Sequence, residues 1–230
     1  MLKKEAYEGV TSLQDFEDVL YKVVGKEDTG EEDRYLIATS EHPMAAMYMN
    51  EDIPEDKLPL KFVGISPCFR REAGSHGKDT KGIFRVHQFT KIEQFIFSKP
   101  EDSKKLHEEL MANAEEIYKE LGIPYRVVNI CTGDIGIVAA KKYDLEVFMP
   151  ATGEYRELVS CSNCTDWQAL RLDIKYDDRG ERKYAHTLNS TASGSIERLI
   201  VAIVENYSND DGTVTMPDAL VPYMGKRKIG

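Results

Sequence analysis

The sequence predicts an α+β fold in which an antiparallel β-sheet is flanked by helices. Most of the chain has strand character, whereas only two segments show a clear helical period. Strands and helices also fail to alternate regularly, which argues against a doubly wound parallel sheet. No repeat, low-complexity tract or Pro/Gly/Ser-rich linker divides the 230 residues, so residues 1–230 are expected to form a single domain.

Seven segments are predicted to be strands, and several of them are joined by short turn-like segments. In chain order they are Tyr35–Ala38, Leu60–Ile65, Ile83–Phe97, Tyr125–Ile130, Leu145–Met149, Tyr155–Val159 and Tyr184–Leu188. The segment Pro150–Glu154 contains both Pro and Gly, and it predicts a hairpin between two of these strands.

Two helices are predicted from apolar residues at helical spacing. The first, Glu101–Leu121, has an apolar face, and Gly122 with Pro124 supplies its stop signal. The second, Ser195–Tyr207, carries an apolar stripe made of Ile196, Leu199, Ile200, Ile203, Val204 and Tyr207. This stripe is expected to lie against the sheet.

The composition excludes several classes of protein. A formal net charge of −10 argues against a broad phosphate-binding surface, so any contact with nucleic acid is expected to be local. No apolar run of about 18 residues is present, and the polar start lacks the apolar region of a signal peptide, so no membrane partner is expected. Four cysteines are too few for a disulfide scaffold and suit a reducing compartment, which predicts a cytoplasmic protein.

Cys161 and Cys164 form a lone Cys-x-x-Cys motif, a pattern that can bind zinc or carry redox chemistry. Structural zinc takes four ligands, and no second cysteine pair accompanies this one. A zinc or redox site is therefore not expected. His76 and His87 are interpreted as hydrogen-bonding or loop residues, and His186 as the residue that closes a strand.

The predicted strand Ile83–Phe97 has an unusual composition on one face. Alternate residues of a strand share a face. Here that face consists of Arg85, His87, Phe89, Lys91 and Glu93. Such a charged face would pack poorly in a hydrophobic core, but it could bind a polar ligand. Upstream, Arg70 and Glu72 share a face by the same period.

A polar connection with three glycines, residues 73–82, separates these two segments and is expected to be an exposed loop. The two segments together predict a nucleotide site, because an arginine fork donates two hydrogen bonds to a phosphate and an aromatic face suits a purine. The GxGxxG and GxxxxGK[ST] phosphate loops are absent, so a nucleotide would be bound by another type of structure.

The segment Cys68–Phe97 resembles motif two of the class II aminoacyl-tRNA synthetases, specifically in its seryl form. The resemblance rests on Phe-Arg-x-Glu, a loop, and then Arg-x-His-Gln-Phe-x-Lys-x-Glu. It extends over essentially the whole chain, including residues 36–41 and 155–163, and is greatest with the archaeal branch. It implies the catalytic domain of a serine–tRNA ligase, which uses ATP and Mg2+ to convert L-serine into seryl-adenylate and then charges serine tRNA.

The resemblance implies an ATP site. By it, Arg70 contacts the α-phosphate and the serine carboxylate, Glu72 contacts the adenine amino group, and Phe89 stacks on the adenine ring. Arg85 and Arg198 would hold the β- and γ-phosphates. The implied ATP-binding residues are Arg70, Arg71, Glu72, Arg85, Val86, Phe89, Glu157, Leu158, Val159, Ser160 and Arg198, of which Arg70 and Arg198 are catalytic.

The resemblance also implies sites for serine and for Mg2+. The implied serine-binding residues are Thr39, Ser40, Glu41, Arg70, Glu93, Asn189 and Thr191. Such a pocket would reject alanine because its polar groups would be left unpaired. From the residues alone, Thr39 and Glu41 could equally cap the end of a strand. Glu157 and Ser160 would ligate Mg2+ through oxygen.

The sequence departs from the family pattern in two places. The match opens just past motif one, so neither that motif nor a coiled-coil tRNA-binding arm is expected; the chain would be a fragment or a minimal paralogue. Exposed apolar surface is then expected where motif one would pack, and homodimer formation is left open. Motif three is one residue longer between Asn189 and Arg198 than the pattern. Either Arg198 is displaced from the site, or Ser193-Gly194 bulges outward and Arg198 keeps its place.

Three functions are considered. The first is the serine–tRNA ligase core, in which Lys78 and Lys81 would offer a local contact for the acceptor end of serine tRNA. The second is a paralogue that activates an amino acid for a carrier protein, which the acidic charge allows. The third is a non-catalytic binding module, against which the retained ligand positions argue.

Overall fold

The computed structural model describes residues 1–24, 33–72 and 82–230. In chain order the strands are β1 (Leu2–Lys3), β2 (Lys22–Val23), β3 (Arg34–Tyr35), β4 (Asp52–Ile53), β5 (Leu60–Phe69), β6 (Gln88–Ser98), β7 (Tyr125–Asn129), β8 (Lys141–Met149), β9 (Glu154–Thr165), β10 (Lys175–Asp178), β11 (Glu181–Tyr184), β12 (His186–Ser195), β13 (Val214–Thr215) and β14 (Lys228–Ile229). The α-helices are α1 (Lys4–Val10), α2 (Leu13–Phe16), α3 (Glu41–Ala46), α4 (Ser103–Leu121), α5 (Trp167–Leu172), α6 (Ile196–Tyr207) and α7 (Val221–Met224). Short 3-10 helices cover Glu55–Lys57 and Asp218–Leu220.

A six-stranded sheet with the order β5-β6-β12-β9-β8-β7 forms the centre of the fold. All of its neighbouring strands are antiparallel. The predicted α+β class is therefore confirmed. The predicted hairpin at residues 150–154 is confirmed as well, since Met149 pairs with Glu154 where β8 turns into β9.

The two faces of this sheet carry separate hydrophobic cores. On one face, α4 and α6 pack against residues such as Ile96, Leu145 and Leu188. On the other, α1, α3 and α5 pack against a core that includes Phe95 and Phe97. Neighbouring residues of β6 thus enter opposite cores, as the two-residue period of a strand requires.

Both predicted helices are confirmed. Helix α4 ends at Leu121, and Gly122 follows it in the left-handed conformation (φ 65°), which glycine adopts without a steric penalty. Helix α6 starts one residue later than predicted, because Ser195 is its N-cap and accepts a hydrogen bond from the backbone N–H of Arg198 at 3.2 Å.

Three strand predictions need correction. The predicted strand Ile83–Phe97 was wrong in its first part, because β6 begins only at Gln88 and residues 82–87 bend. An ion pair of Arg85 and a hydrogen bond to the carbonyl of Phe84 hold this bend in place. The segment Tyr184–Leu188 is divided between β11 and β12, and the first predicted strand, Tyr35–Ala38, contributes only Tyr35 to β3.

Several short helices were not predicted from the sequence. Helix α3 contains Pro43, which is tolerated because it lies in the first turn, where the backbone N–H would have no helical partner. Helix α5 has only six residues, too few to show a helical period. Helix α3 contributes Glu41 and His42 to a cavity, and Gln168 of α5 bonds Glu41, so both helices matter for the site.

Some apolar surface remains exposed on the molecule. Val63 and Ile65 on the edge strand β5 are 67% and 73% exposed, and Met47 is also exposed. On α6, the prediction that the whole apolar stripe lies against the sheet was wrong for Ile196, Ile200 and Val204, which are exposed. Its other members, Leu199, Ile203 and Tyr207, pack against the core. In the part of the chain that the structure describes, no helix combines the length and apolar character needed to cross a membrane.

Candidate active site

Two adjoining cavities lie over strands β6, β12 and β9. The outer cavity is lined by Arg70, Glu72, Phe84, Arg85, Val86, Phe89, Lys91, Glu157, Leu158, Ser160, Thr191, Ser195 and Arg198. The inner cavity has a volume of about 570 Å3 and includes Val10, Thr11, Thr39, Glu41, His42, Arg70, Lys91, Glu93, Lys142, Glu157, Ser160, Cys164 and Asn189 in its lining. Arg70, Lys91, Glu157 and Ser160 line both cavities.

Strand β6 supplies Phe89 and Lys91 to the outer cavity and Lys91 and Glu93 to the inner one, as its two-residue period predicts. The centre of the Arg70 guanidinium lies 5.2 Å from the centroid of the Phe89 ring. His87 precedes the strand and does not continue this row. Its Nδ1 instead lies 2.5 Å from the Tyr21 hydroxyl.

Ion pairing and hydrogen bonding hold the bent segment 82–87 at the outer cavity. The guanidinium of Arg85 donates to the carboxylate of Glu72 at 2.5 Å. The Nε of Arg198 donates to the backbone carbonyl of Phe84 at 3.1 Å, and its Nη1 donates to the carbonyl of Glu157 at 3.2 Å. These contacts are formed by residues distant in sequence, which explains why a local strand pattern fails here.

The longer motif three is accommodated by a bulge. The register of β12 against β6 shifts between Thr191 and Ser195. Gly194 adopts φ +83°, and a Cβ at this position would lie 2.8 Å from the backbone oxygen of Leu158. The bulge therefore packs inward against β9 rather than outward, and Arg198 keeps its place in the outer cavity. Burial lowers the pKa of Arg198, although the nearby Glu157 opposes this effect.

The inner cavity contains buried groups of both charges. Lys91 is paired with Glu93 at 2.6 Å, and the two side chains are only 13% and 1% exposed. The ammonium of Lys91 also donates to the Thr39 hydroxyl at 3.1 Å. Burial raises the pKa of Glu93, and Lys91 opposes that change. Burial, followed by the charge of Glu93, raises the pKa of Glu41 to about 7.

Polar side chains of β12 complete this region. The hydroxyl of Thr191 donates to Glu93 at 3.4 Å, and the amide of Asn189 donates to the sulfur of Cys164 at 3.6 Å. Both β12 side chains are buried. The implied serine residues Thr39, Glu41, Glu93 and Asn189 thus meet in the inner cavity, and Thr191 lies beside them.

Three implied ligand residues direct their side chains elsewhere. The Ser40 hydroxyl donates to the carbonyl of Gly64 on β5 at 3.4 Å. Val159 lies fully buried in the core under α4 and α6, because it alternates in orientation with its neighbour Ser160. Arg71 is exposed beyond the end of β5. None of these three residues lines either cavity.

Comparison with known proteins identifies the family. Residues 21–207 match the family described as "tRNA synthetase class II core domain (G, H, P, S and T)". The chain belongs to this family. The resemblance inferred from motif two is thereby confirmed.

Named relatives of this synthetase core include archaeal serine–tRNA ligases. The serine–tRNA ligase of Methanoculleus marisnigri is 62% identical over 227 residues, which are 97% of this chain and 52% of that protein. The crystal structure of seryl-tRNA synthetase from Pyrococcus horikoshii complexed with ATP superimposes with a TM-score of 0.92 at 58% identity, covering 99% of this chain and 50% of that one. The serine–tRNA ligase of Naegleria fowleri, in complex with AMP, has a TM-score of 0.91 at 49% identity, covering 99% and 53%. The synthetase core spans about half the length of these relatives.

The synthetase core offers oxygen ligands that suit Mg2+. Glu157 and Ser160 line both cavities, and Asp144 on β8 pairs with Ser160 in the sheet. The Oδ1 of Asp144 is buried; it forms no hydrogen bond among the described residues but is paired with the ammonium of Lys142 at 3.7 Å. Burial raises the pKa of this carboxyl to about 6, with a further rise from Glu157 that Lys142 opposes. In that part of the chain no three His, Cys, Asp or Glu side chains group as metal ligands. The donors fit a Mg2+ ion held by few protein ligands together with phosphates and water.

Three cysteines of the synthetase core, Cys68, Cys161 and Cys164, are buried thiols, whereas Cys131 is exposed. Burial raises the pKa of Cys161 to about 12 and also raises that of Cys164. Thiols of this kind are poor nucleophiles, because the thiolate is the reactive form.

Two residues at the site, Lys91 and Gln168, have no role implied by the sequence. Lys91 was placed on the correct face of its strand, and its contact with both cavities is visible only in the fold. Gln168 bonds Glu41 across 127 positions, for which the sequence contains no local signal. Predicted residues His76, Lys78 and Lys81 lie outside the described residues.

Proposed function

We propose that this chain is the catalytic core of a serine–tRNA ligase, which activates L-serine with ATP and transfers it to serine tRNA. One observation carries the proposal: an outer cavity rich in cations adjoins an inner cavity with balanced charges, and Arg70 lines both. ATP and a zwitterionic amino acid bound side by side need such an arrangement. The names of the relatives support serine as the amino acid.

ATP would occupy the outer cavity. Arg70, Arg85 and Arg198 lie there and match a polyphosphate in charge, while the guanidinium fork suits phosphate oxygens. Phe89 would stack on the adenine ring. Glu72, fixed by its ion pair with Arg85, would accept a hydrogen bond from the adenine amino group. Val86 and Leu158 complete the lining.

Serine would occupy the inner cavity. Glu41 and Glu93 would receive its ammonium, and Arg70 its carboxylate. Thr39 and Asn189 offer polar partners for the hydroxyl. Such buried polar groups discriminate against alanine, because they would lose a hydrogen bond without regaining water.

Positioning and electrostatics would supply the rate enhancement. An oxygen of the serine carboxylate forms a bond to the α-phosphorus, the bond from that phosphorus to the bridging oxygen breaks, and pyrophosphate leaves with its electron pair. No general base is required, because the carboxylate is already ionised. Arg70 would stabilise the charge that develops on the α-phosphoryl oxygens. Mg2+ held near Glu157 and Ser160 would neutralise phosphate charge when bound.

The second half-reaction would use the same site. The terminal hydroxyl of serine tRNA would attack the carbonyl carbon of the adenylate, and AMP would leave. The proposal also includes Mg2+ as a cofactor, which follows from the family resemblance, and the cytoplasm as the location, which follows from the cysteine content. Formation of a homodimer stays open.

Serine-dependent exchange of radiolabelled pyrophosphate into ATP tests the proposal. We expect exchange with serine, and much weaker exchange with alanine at equal concentration. Absence of exchange with serine would refute the activation step. Labelled serine that passes from the adenylate to a carrier protein, and not to serine tRNA, would replace the second half of the proposal.

A further inference from the structure

Gln168 on α5 connects two walls of the inner cavity. Its side chain is completely buried. The amide nitrogen donates one hydrogen bond to the carboxylate of Glu41 at 2.8 Å and another to the backbone carbonyl of Val10 at 3.0 Å. Both acceptors line the inner cavity. The carbonyl of Val10 belongs to the last residue of α1, where helical carbonyls lack intrahelical partners.

We propose that Gln168 is a positioning residue for serine recognition, which fixes the carboxylate of Glu41 toward the inner cavity and keeps it free to receive the substrate ammonium. This inference rests on the proposed function. It concerns a residue that contacts no substrate and acts only through Glu41.

A comparison of the two carboxylates, the partly buried Glu41 and the buried Glu93, supports this role. Glu93 is paired with Lys91, so that its charge is already balanced inside the protein. Glu41 receives its hydrogen bond from a neutral amide instead. An amide orients a carboxylate and stabilises its ionised form without cancelling its charge. When ionised, Glu41 therefore keeps a charge that an incoming ammonium can pair with.

The fold alone does not call for an amide at this position. The Oε1 of Gln168 is buried and has no hydrogen-bond partner in the described part of the chain. An unpaired buried polar atom lowers stability by about 1–3 kcal/mol. An apolar side chain of similar volume would avoid that penalty, so the bonds to Glu41 and Val10 are the reason for an amide here.

The other groups that influence Glu41 come from four elements. They are Glu93 and Lys91 from β6, Arg70 after β5, Tyr7 from α1 and Cys164 from β9. Burial raises the pKa of both Tyr7 and Cys164, so these two groups are neutral near pH 7. Only Glu93, Lys91 and Arg70 contribute fixed charge, and none of them is altered by substitution of Gln168.

Gln168→Met tests the inference, because methionine has a similar volume and no donor. We expect the KM for serine in pyrophosphate exchange to rise about tenfold, with the KM for ATP unchanged. Loss of a donor to the ionised carboxylate raises the pKa of Glu41. The acid limb of the serine kcat/KM profile should therefore move upward by about one pH unit.

Gln94→Met is the matched control. Gln94 is also buried; its amide donates to the carbonyl of Leu110 and accepts from Asn113, on the face of the sheet that packs against α4. This variant loses two hydrogen bonds as well, but it should leave the serine pH profile in place. If Gln168→Met does not fold, Gln168→Asn keeps the amide on a shorter side chain and should shift the limb in the same direction.

The outcomes separate the two proposals. Wild-type protein without serine-dependent exchange would refute the proposed function. Active wild-type protein, together with a folded Gln168→Met variant whose serine KM and pH profile match the wild type, would refute the positioning role alone. Equal shifts in Gln168→Met and Gln94→Met would also overturn it, since they would indicate general destabilisation.

Discussion

The outer and inner cavities lie side by side on one sheet, and their described lining residues differ in charge balance. In the outer cavity Arg70, Arg85, Lys91 and Arg198 face Glu72 and Glu157. In the inner cavity Arg70, Lys91 and Lys142 face Glu41, Glu93 and Glu157. An excess of cations suits a polyphosphate, whereas a balance of buried charges suits a zwitterion. Under the proposed function, this difference in charge would let one sheet bind two different ligands, each in contact with Arg70.

Substitution of the shared arginine should have the largest effect. Arg70→Ala removes a cation from both cavities, so we expect serine-dependent pyrophosphate exchange to fall about 1000-fold in kcat/KM. Arg126→Ala is the matched control, because Arg126 also lies over an aromatic ring, that of Tyr155 at 4.4 Å, but is outside both cavities. Comparable losses in the two variants would contradict the assignment.

Glu93→Gln should affect the inner cavity and leave the outer cavity's function nearly unchanged. The substitution removes a buried carboxylate from the inner cavity only and leaves Lys91 without its carboxylate partner, although its hydrogen bond to Thr39 remains. We expect the KM for serine to rise about 100-fold while the KM for ATP stays within about twofold, as measured by exchange with each substrate varied in turn. Glu55→Gln, which breaks the more exposed pair with Lys99, should change neither value. An equal rise in both constants for Glu93→Gln would show that the cavities do not act separately.

Arg198→Ala should produce the reverse pattern on a smaller scale. Arg198 lines the outer cavity alone, so we expect the KM for ATP to rise about tenfold with little change in the KM for serine. The measurement is exchange with ATP varied at saturating serine. The exposed Arg227, paired with Asp218, provides the control variant Arg227→Ala. A serine-specific defect would show that the bulge in β12 aims Arg198 into the wrong cavity.

Glu41→Gln should have the smallest effect of the four substitutions, a change in thermal stability that depends on pH. The pKa of Glu41 in the folded protein, about 7, lies above its ordinary value of 4.5, so the folded state holds this proton more tightly. Wild-type stability is therefore lost as pH rises from about 4.5 to about 7. The thermal midpoint of the variant should exceed that of the wild type by a few degrees more at pH 8 than at pH 5. A difference between variant and wild type that is the same at both pH values would contradict a raised pKa of Glu41 in the folded protein.

Local periodicity predicted the part of the site that lies on regular structure. Phe89, Lys91 and Glu93 follow the pleat of β6, so their common face could be inferred from spacing alone. The same rule failed for Arg85 and His87. Arg85 is held by Glu72 and His87 by Tyr21, and such long-range bonds override the local strand preference.

Other parts of the site depend on contacts that spacing does not encode. Ser40 turns toward Gly64 because α3 packs closely on β5 at this point. Gln168 reaches Glu41 because α5 and α3 come together in the fold, although their sequences are far apart. The family resemblance supplied roles for the motif positions, and only the geometry shows that Arg71 and Val159 lie outside both cavity linings whereas Lys91 lies in both.

The four side chains shared by the two cavities have a thermodynamic consequence. Arg70, Lys91, Glu157 and Ser160 line both cavities, so a shift of any of them on binding one ligand would alter the surroundings of the other. Any coupling between the two proposed ligands would be reciprocal: the factor by which ATP changed serine affinity would equal the factor by which serine changed ATP affinity.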